Sequence, residues 1–180
     1  MPSFSSSGYP RTAQFFAEDL RWIPRSKRKV HAAFETYSGL IGNELAAQFD
    51  RSAEPIVKVD VIGRLIGYTP PNSDTIYLAA TFIRELEANL PPRAVRSGDA
   101  YAPSELEEKI LTILEATVLH EMVHYWRMKR NGEARINAMS NRGRGFEERI
   151  ARQFEKAAYG MIPSVASLGN ERYMPMTANL

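Results

Sequence analysis

The sequence reads VLHEMVHYW at residues 118–126, and the organisation of the whole chain follows from this stretch. Residues four apart lie one turn above each other on a helix, so His120 and His124 point the same way. Two neutral imidazoles at this spacing are able to bind one Zn²⁺ ion. Glu121 lies about 100° further round the helix, where its carboxylate reaches a water on the metal without being a ligand. The stretch therefore predicts a zinc site.

Chance, or a structural role, is the alternative explanation for such a histidine pair. The chain contains three His, and two of them fall at this spacing. The pair also lies in an apolar segment, where polar groups without partners cost free energy. A metal ion supplies those partners, and we therefore favour the zinc site. The third histidine, His31, lies far upstream and is predicted to be a surface or core-edge residue rather than a ligand.

The composition is typical of a single globular domain. The chain has 180 residues, of which 44% are hydrophobic and 24% are charged, and this suits one domain with a hydrophobic core. It contains no run of about 18 apolar residues, so we expect no transmembrane segment and no membrane partner. Its first residues show no basic start followed by an apolar segment, so we expect no secretory signal. We expect cytoplasmic synthesis, with any export following a route that reads no such signal.

The residue inventory limits the chemistry of any metal site. The chain has no cysteine, which excludes disulfides, thiolate ligands and cysteine nucleophiles. A metal must therefore be held by His, carboxylate or water. The formal net charge is +2, which is too weakly basic to indicate nucleic-acid binding by itself.

The chain is predicted to have two parts. Residues 1–28 are expected to be a loosely structured basic N-terminal segment, because they begin with a Ser-, Gly- and Pro-rich stretch. A basic cluster follows and is predicted to be a solvated face; it comprises Arg21, Arg25, Lys27, Arg28 and Lys29. Residues 29–180 are expected to form one domain, since they contain no internal repeat.

Hydrophobic periodicity predicts an α+β fold for that domain. Apolar residues three or four apart predict helices over residues 29–49, 82–90 and 146–159. Short alternating segments predict three strands, over 55–63, 65–68 and 75–78, in a small and mostly antiparallel sheet. Ser104 and Glu107 form a capping box, and no Gly or Pro follows before Asn131-Gly132. The histidine pair therefore lies in a long central helix over 105–130, with the sheet and flanking helices packed on it.

A catalytic zinc usually has three protein ligands and one open position, so the histidine pair needs a third partner. No His follows His124 and no Asp follows Asp99. Glutamates are therefore the remaining strong candidates, and they are Glu133, Glu147, Glu148, Glu155 and Glu171.

The helix over 146–159 separates these candidates. Its apolar face, which carries Ile150 and Phe154 among others, also includes Glu147, whereas Glu148 and Glu155 fall on the polar side. A carboxylate on a buried face needs a cation or hydrogen-bond donors. We therefore predict Glu147 as the third ligand. Glu171 is the alternative third ligand, and an ordinary salt bridge is the simplest other explanation for a buried Glu147.

The motif residues carry a resemblance to a known class of enzymes. His120-Glu121-x-x-His124 followed by Glu147 resembles the zincin metallopeptidases, and among them the gluzincin ligand pattern. The segment at residues 142–146, Arg-Gly-Arg-Gly-Phe, is similar to an element of SprT-like proteases, with Arg142 where that family has its third His. The order of elements is also similar to that of minimal zincins, including toxin-type or effector metallopeptidases. The resemblance implies a zincin-like domain over residues 29–180.

A zinc-dependent metallopeptidase, and more narrowly an endopeptidase, is therefore the expected function. In this hypothesis a zinc-activated water attacks the peptide bond of a protein or peptide substrate, and Glu121 is the general base. The candidate oxyanion stabilisers are Tyr159, Tyr173 and Arg142. The predicted strand over 75–78 is the candidate edge strand for binding a peptide by strand addition.

Two alternatives come from other functional classes. Ten of the 23 Lys and Arg residues lie between Arg127 and Arg172, which leaves open an SprT-like, DNA-associated protease or binding module. The other alternative is a toxin- or effector-type zincin domain that acts on a host or competitor target.

Overall fold

The computed structural model describes residues 3–4, 8–50, 54–63, 65–90, 104–131 and 141–163. The chain begins with strand β1 (Ser3–Phe4), helix α1 (Pro10–Gln14), a π-helical turn (Phe15–Asp19), α2 (Leu20–Ser26), α3 (Arg28–Ser38) and α4 (Gly42–Asp50). It continues with β2 (Ile56–Asp60), β3 (Gly67–Tyr68), β4 (Thr75–Ala79), α5 (Ala80–Asn89), α6 (Glu105–Asn131) and α7 (Asn141–Tyr159). The predicted α+β class is confirmed.

Helix α6 is the long central helix that the sequence predicts. Its N-terminus is capped as expected, because the backbone N–H of Glu107 donates to the Ser104 hydroxyl at 3.2 Å. The helix has 27 residues, which makes it about 40 Å long. Its second half is buried nearly all round, with Val118, Leu119 and Met122 fully enclosed. It packs against α3, α7, β3 and β4, so the residues of the His-Glu-x-x-His stretch face several different elements.

The sheet differs from the prediction in the direction of its strands. The described strands lie in the order β1-β2-β4-β3. β1 and β4 run parallel to β2, and only β3 runs antiparallel, against β4. The mostly antiparallel sheet predicted from the sequence is therefore wrong. The chain reverses once between β2 and β3 and again between β3 and β4, so β2 and β4 point the same way, and β4 inserts between the other two.

This strand order also changes which strand is at the edge. The segment Thr75–Ala79 is β4, which pairs with β2 on one side and β3 on the other. The predicted edge strand over residues 75–78 is therefore an internal strand, and its backbone groups are used within the sheet. The edge next to it is β3, the strand that lies against α6.

The loosely structured N-terminal segment predicted over residues 1–28 is also wrong for Pro10–Ser26. These residues form α1, the π-helical turn and α2, and they bury Phe15, Phe16, Leu20 and Ile23 in the main core. Buried polar contacts hold them in place, since Arg11 pairs with Glu107 of α6 at 2.9 Å. The Ser-, Gly- and Pro-rich start indicated a loose segment, but the apolar residues that follow it pack in the core.

The predicted helix over residues 29–49 is two helices. Gly39 ends α3 in the left-handed conformation, with φ of 74°, which a residue without a Cβ adopts at little cost. His31 lies in α3 with its ring 5.4 Å from that of Phe49, in a partly buried position. Among the helices of the described ranges, none combines the length and apolar composition needed to cross a lipid bilayer.

Candidate metal centre

The candidate centre lies where α7 packs against the second half of α6. Helix α6 presents His120 and His124 one turn apart on the same side, with ring centroids 4.8 Å apart. Helix α7 faces them with Glu148 and Glu155. Nine residues separate the two helices in sequence, so a short connection brings a second helix back against the histidine pair.

Three ligand atoms converge at this point. His120 Nε2 and His124 Nε2 are 3.1 Å apart, and Glu148 Oε2 lies 3.5 Å from the first and 3.4 Å from the second. Tetrahedral zinc with bonds of about 2.05 Å separates its ligand atoms by about 3.3 Å. The triangle formed by His120, His124 and Glu148 therefore has the size that a zinc ion requires, and it is the metal-ligating group found among the described residues.

Glu155 determines how the imidazole of His120 is oriented. Its Oε1 lies 3.0 Å from His120 Nδ1, and an ionised carboxylate only accepts hydrogen bonds. Nδ1 therefore donates to Glu155, and Nε2 is the ring nitrogen that is left to face a metal ion. The second oxygen of Glu155, Oε2, is buried and has no hydrogen-bond partner in the part of the chain that the structure describes.

The electrostatics of the cluster favour a positive charge at its centre. Burial lowers the pKa of His120, but hydrogen bonds to Glu148 and Glu155 outweigh burial and raise it to about 10. Burial raises the pKa of Glu148, but its contacts with the two imidazoles outweigh this effect and hold the pKa far below its ordinary value. Without a proton or a metal ion, lone pairs would face one another across the triangle. The donor set therefore fits a divalent cation.

The structure places Glu147 away from this triangle. Its carboxylate accepts two hydrogen bonds from Arg127, from Nε at 2.6 Å and from Nη2 at 3.2 Å. The predicted third ligand is thus in a salt bridge, and its neighbour Glu148 takes the place beside the histidines. The other oxygen of Glu148, Oε1, accepts from Arg152 at 3.0 Å, which leaves Oε2 directed at the imidazoles.

The prediction of the buried face of α7 is only partly right, since Phe154 is fully buried as expected. It treated Ile150 as core, whereas Ile150 is only partly buried and Ala151 is 0% exposed. The buried face therefore includes Ala151 and Glu155, and Glu148, one turn before Ala151, lies at its border with 33% of its side chain exposed. A sequence signal for this face exists, since Glu148, Ala151 and Glu155 are three and seven residues apart. Periodicity nevertheless assigns Glu148 and Glu155 to the polar side, because the histidines that face them lie on another helix.

Glu121 lies in the crevice between α6 and β3. It is only 7% exposed, and its Oε2 accepts a hydrogen bond of 2.7 Å from the Thr69 hydroxyl. Gly67 of β3 is also close, because a Cβ built there would lie 2.8 Å from Glu121 Cγ. No sequence pattern indicates a role for Gly67 or Thr69, since neither belongs to a recognisable motif.

The remaining predicted site residues have different outcomes. The Tyr159 hydroxyl donates to Glu115 at 3.1 Å, and burial together with that carboxylate raises its pKa well above the ordinary value. An oxyanion role would require this bond to break. Arg142 is the second residue of α7, but its side chain lies outside the part of the chain that the structure describes. Tyr173 and Glu171 lie outside it as well. Their predicted roles stay predictions.

The α+β fold, the paired imidazoles with a carboxylate from the next helix, and the neighbouring buried Glu121 together indicate a metallopeptidase. Comparison with family models agrees with this class of enzyme and identifies one family within it. The chain belongs to the family described as metallopeptidase toxin 3, whose model matches residues 5–160. No curated protein and no solved structure matched the chain.

The family match confirms the prediction of a metallopeptidase-type protein, and toxin-type metallopeptidases were among the predicted resemblances. It begins at residue 5, so it includes the N-terminal helices as well as α6 and α7. The gluzincin and SprT-like resemblances stay predictions.

Proposed function

We propose that the chain is a zinc-dependent endopeptidase in which His120, His124 and Glu148 bind the metal and Glu121 is the general base. The observation that carries the proposal is the triangle of His120 Nε2, His124 Nε2 and Glu148 Oε2, with sides of 3.1, 3.5 and 3.4 Å. Two nitrogens and one carboxylate oxygen are a ligand set that catalytic zinc uses. Glu148 replaces Glu147, the ligand predicted from the sequence.

The exposure of the ligands supports a catalytic rather than a purely structural site. The side chains of His120 and His124 are 12% and 14% exposed, whereas that of Glu148 is 33% exposed. Glu148 is the most exposed of the three proposed ligands, so we expect water and substrate to approach the metal from its side. Three protein ligands also leave a fourth position of a tetrahedral ion for chemistry, in contrast to a closed structural site.

When bound, zinc would lower the pKa of a water towards about 7 and polarise the carbonyl of the scissile peptide bond. The protein residues divide the remaining work. Glu121 accepts the proton of the attacking water on its carboxylate and later delivers it to the leaving nitrogen. Glu155 holds the His120 ring through Nδ1 so that Nε2 faces the metal position, and Arg152 holds Glu148 so that Oε2 points inward.

The target of this activity is proposed to be a protein in another cell. The support is the family's description as a metallopeptidase toxin, since a toxin with peptidase chemistry acts by cleaving a target protein. The DNA-associated alternative rests on the basic sequence between Arg127 and Arg172 alone, and no contact of the described residues adds to it.

The proposal is tested by separating metal binding from hydrolysis with Glu121→Gln. Glu121 is not a ligand in this scheme, so the variant should keep one zinc per chain, measured by plasma mass spectrometry, and lose hydrolysis of casein. An anomalous-scattering map at the zinc edge should place the ion within bonding distance of His120, His124 and Glu148. Unchanged casein hydrolysis by Glu121→Gln would remove Glu121 as the base, and an ion elsewhere would remove the proposed centre.

A further inference from the structure

Thr69, the residue that follows β3, makes the closest contact with the carboxylate of Glu121. Its hydroxyl lies 2.7 Å from Glu121 Oε2 and 3.2 Å from the backbone oxygen of the same residue. Both residues are buried. A hydroxyl has one proton to donate, and a bond to an ionised carboxylate is stronger than a bond to a neutral carbonyl. The Thr69 proton is therefore directed at Oε2.

Gly67, two residues before Thr69, holds Glu121 from a second direction. A Cβ at residue 67 would lie 2.8 Å from Glu121 Cγ, 3.0 Å from Glu121 Oε1 and 3.0 Å from Thr117 Cγ2. Residues two apart on an extended segment point to the same side, so both residues face α6. Glycine is needed here for space, because any side chain would displace the stem of the Glu121 side chain.

We infer that Gly67 and Thr69 are positioning residues for Glu121. The strand backbone at Gly67 confines the methylene groups of the side chain, and the Thr69 hydroxyl holds Oε2, so that Oε1 is the oxygen that takes the proton from the attacking water. This inference rests on the proposed role of Glu121 as the general base. It adds two residues to the site that contact neither the metal ligands nor, in this scheme, the substrate.

The geometry explains why such support is needed. A glutamate side chain has three rotatable bonds, and a free side chain would sample several rotamers. Proton transfer needs the accepting oxygen within about 2.6–3.2 Å of the water. A carboxylate that is hydrogen-bonded through one oxygen and confined along its methylene groups already occupies one rotamer. The reaction then carries no further cost in side-chain entropy.

The test compares Thr69→Val, which keeps the shape and removes the hydroxyl, with Thr69→Ser, which keeps the hydroxyl. With zinc-loaded protein and casein as the probe, Thr69→Val should retain its zinc and its KM, and kcat should fall by about 10²-fold. Thr69→Ser should restore most of kcat. The matched control is Thr36→Val, because the Thr36 hydroxyl donates to the Ala32 carbonyl at 2.9 Å on the exposed side of α3, and its kcat should be unchanged.

A second readout does not depend on activity. A crystal structure of Thr69→Val should show the Glu121 carboxylate rotated away from its position beside residue 69, and an unmoved carboxylate would overturn the inference. Gly67→Ala is the second variant, should Thr69→Val fold poorly. Its methyl group would meet Glu121 Cγ, so it should show the same displacement of Glu121 and the same loss in kcat at constant KM.

Glu121→Gln, measured in parallel, separates the two levels of the proposal. If Glu121→Gln hydrolyses casein like the unmodified chain, the proposed function fails, and the inference about its support fails with it. If Glu121→Gln is inactive while Thr69→Val and Gly67→Ala keep full kcat, only the positioning inference is overturned. Loss of kcat in all three variants, with zinc retained, supports both.

Discussion

Separate substitution of two neighbouring glutamates by glutamine gives the sharpest test of the metal centre. Glu148→Gln and Glu147→Gln lie one residue apart on α7, change the same atoms and alter the net charge equally. Glu148 Oε2 lies 3.4 Å from His124 Nε2, whereas the carboxylate of Glu147 is held by Arg127. Only the Glu148 substitution should therefore weaken zinc binding.

The size of the effect follows from the position of Glu148 in the triangle. Loss of a residue that only supports a ligand typically weakens metal binding by about 10–100-fold. Loss of one of three direct ligands should cost at least the upper end of that range, which is about 2.7 kcal/mol. The Arg127–Glu147 pair is mostly buried, with side-chain exposures of 24% and 15%, and its loss should lower stability by about 1 kcal/mol without changing zinc affinity.

Thermal unfolding with and without zinc measures this difference. At a free zinc concentration of 100 times the Kd of the unmodified chain, binding should stabilise the fold by about 2.7 kcal/mol. That corresponds to a rise in Tm of about 5–11 °C for a chain of this size. A Kd that is 100-fold weaker reduces the stabilisation to about 0.4 kcal/mol, so Glu148→Gln should show a rise of only about 1 °C.

The opposite pattern would refute the reasoning. If Glu147→Gln loses the zinc-dependent rise in Tm and Glu148→Gln keeps it, the helix rotation that places Glu148 at the centre is wrong. Competition with a chromophoric chelator gives the zinc Kd of each variant directly. These values do not depend on how the variants unfold.

Three further predictions follow from other contacts. Glu155→Gln should weaken zinc binding by about 10–100-fold, because it replaces the negatively charged acceptor of the His120 Nδ1 proton by a neutral amide; a chelator competition that finds the same Kd as in the unmodified chain would contradict that role. Arg11→Met should lower the free energy of unfolding by about 3–5 kcal/mol in urea titrations, since it breaks the buried ion pair between Arg11 and Glu107, and a loss below about 1 kcal/mol would mean that the N-terminal helices contribute little. Phe154→Ala should cost about 3–5 kcal/mol in the same titration, because Phe154 is fully buried in the core, whereas a small change would mean that α7 is not packed there.

Local patterns account for what could be predicted correctly. The apolar repeat, the Ser104 cap and the stop after residue 131 indicated α6 nearly to its ends, because these signals act between residues a few positions apart. The spacing of His120 and His124 also needs only the helical repeat to bring them together. Strands β2, β3 and β4 could be located from the sequence for the same reason, since alternation is a property of each short segment.

The tertiary structure alone decided which partners meet these elements. Strand order depends on contacts between distant segments, so β4 lies inside the sheet and β3 at its edge, against the prediction. The third candidate ligand depends on the rotation of α7 against α6, which packing at Ala151 sets and which exchanges Glu147 for Glu148. Periodicity also assigns a carboxylate to solvent unless its partner is known, and the partners of Glu148 and Glu155 lie on another helix. The sequence by itself determined the histidine pair and the helix that carries it, and the folded chain determined what completes the site, because burial of a charged group is favourable only where a distant partner compensates it.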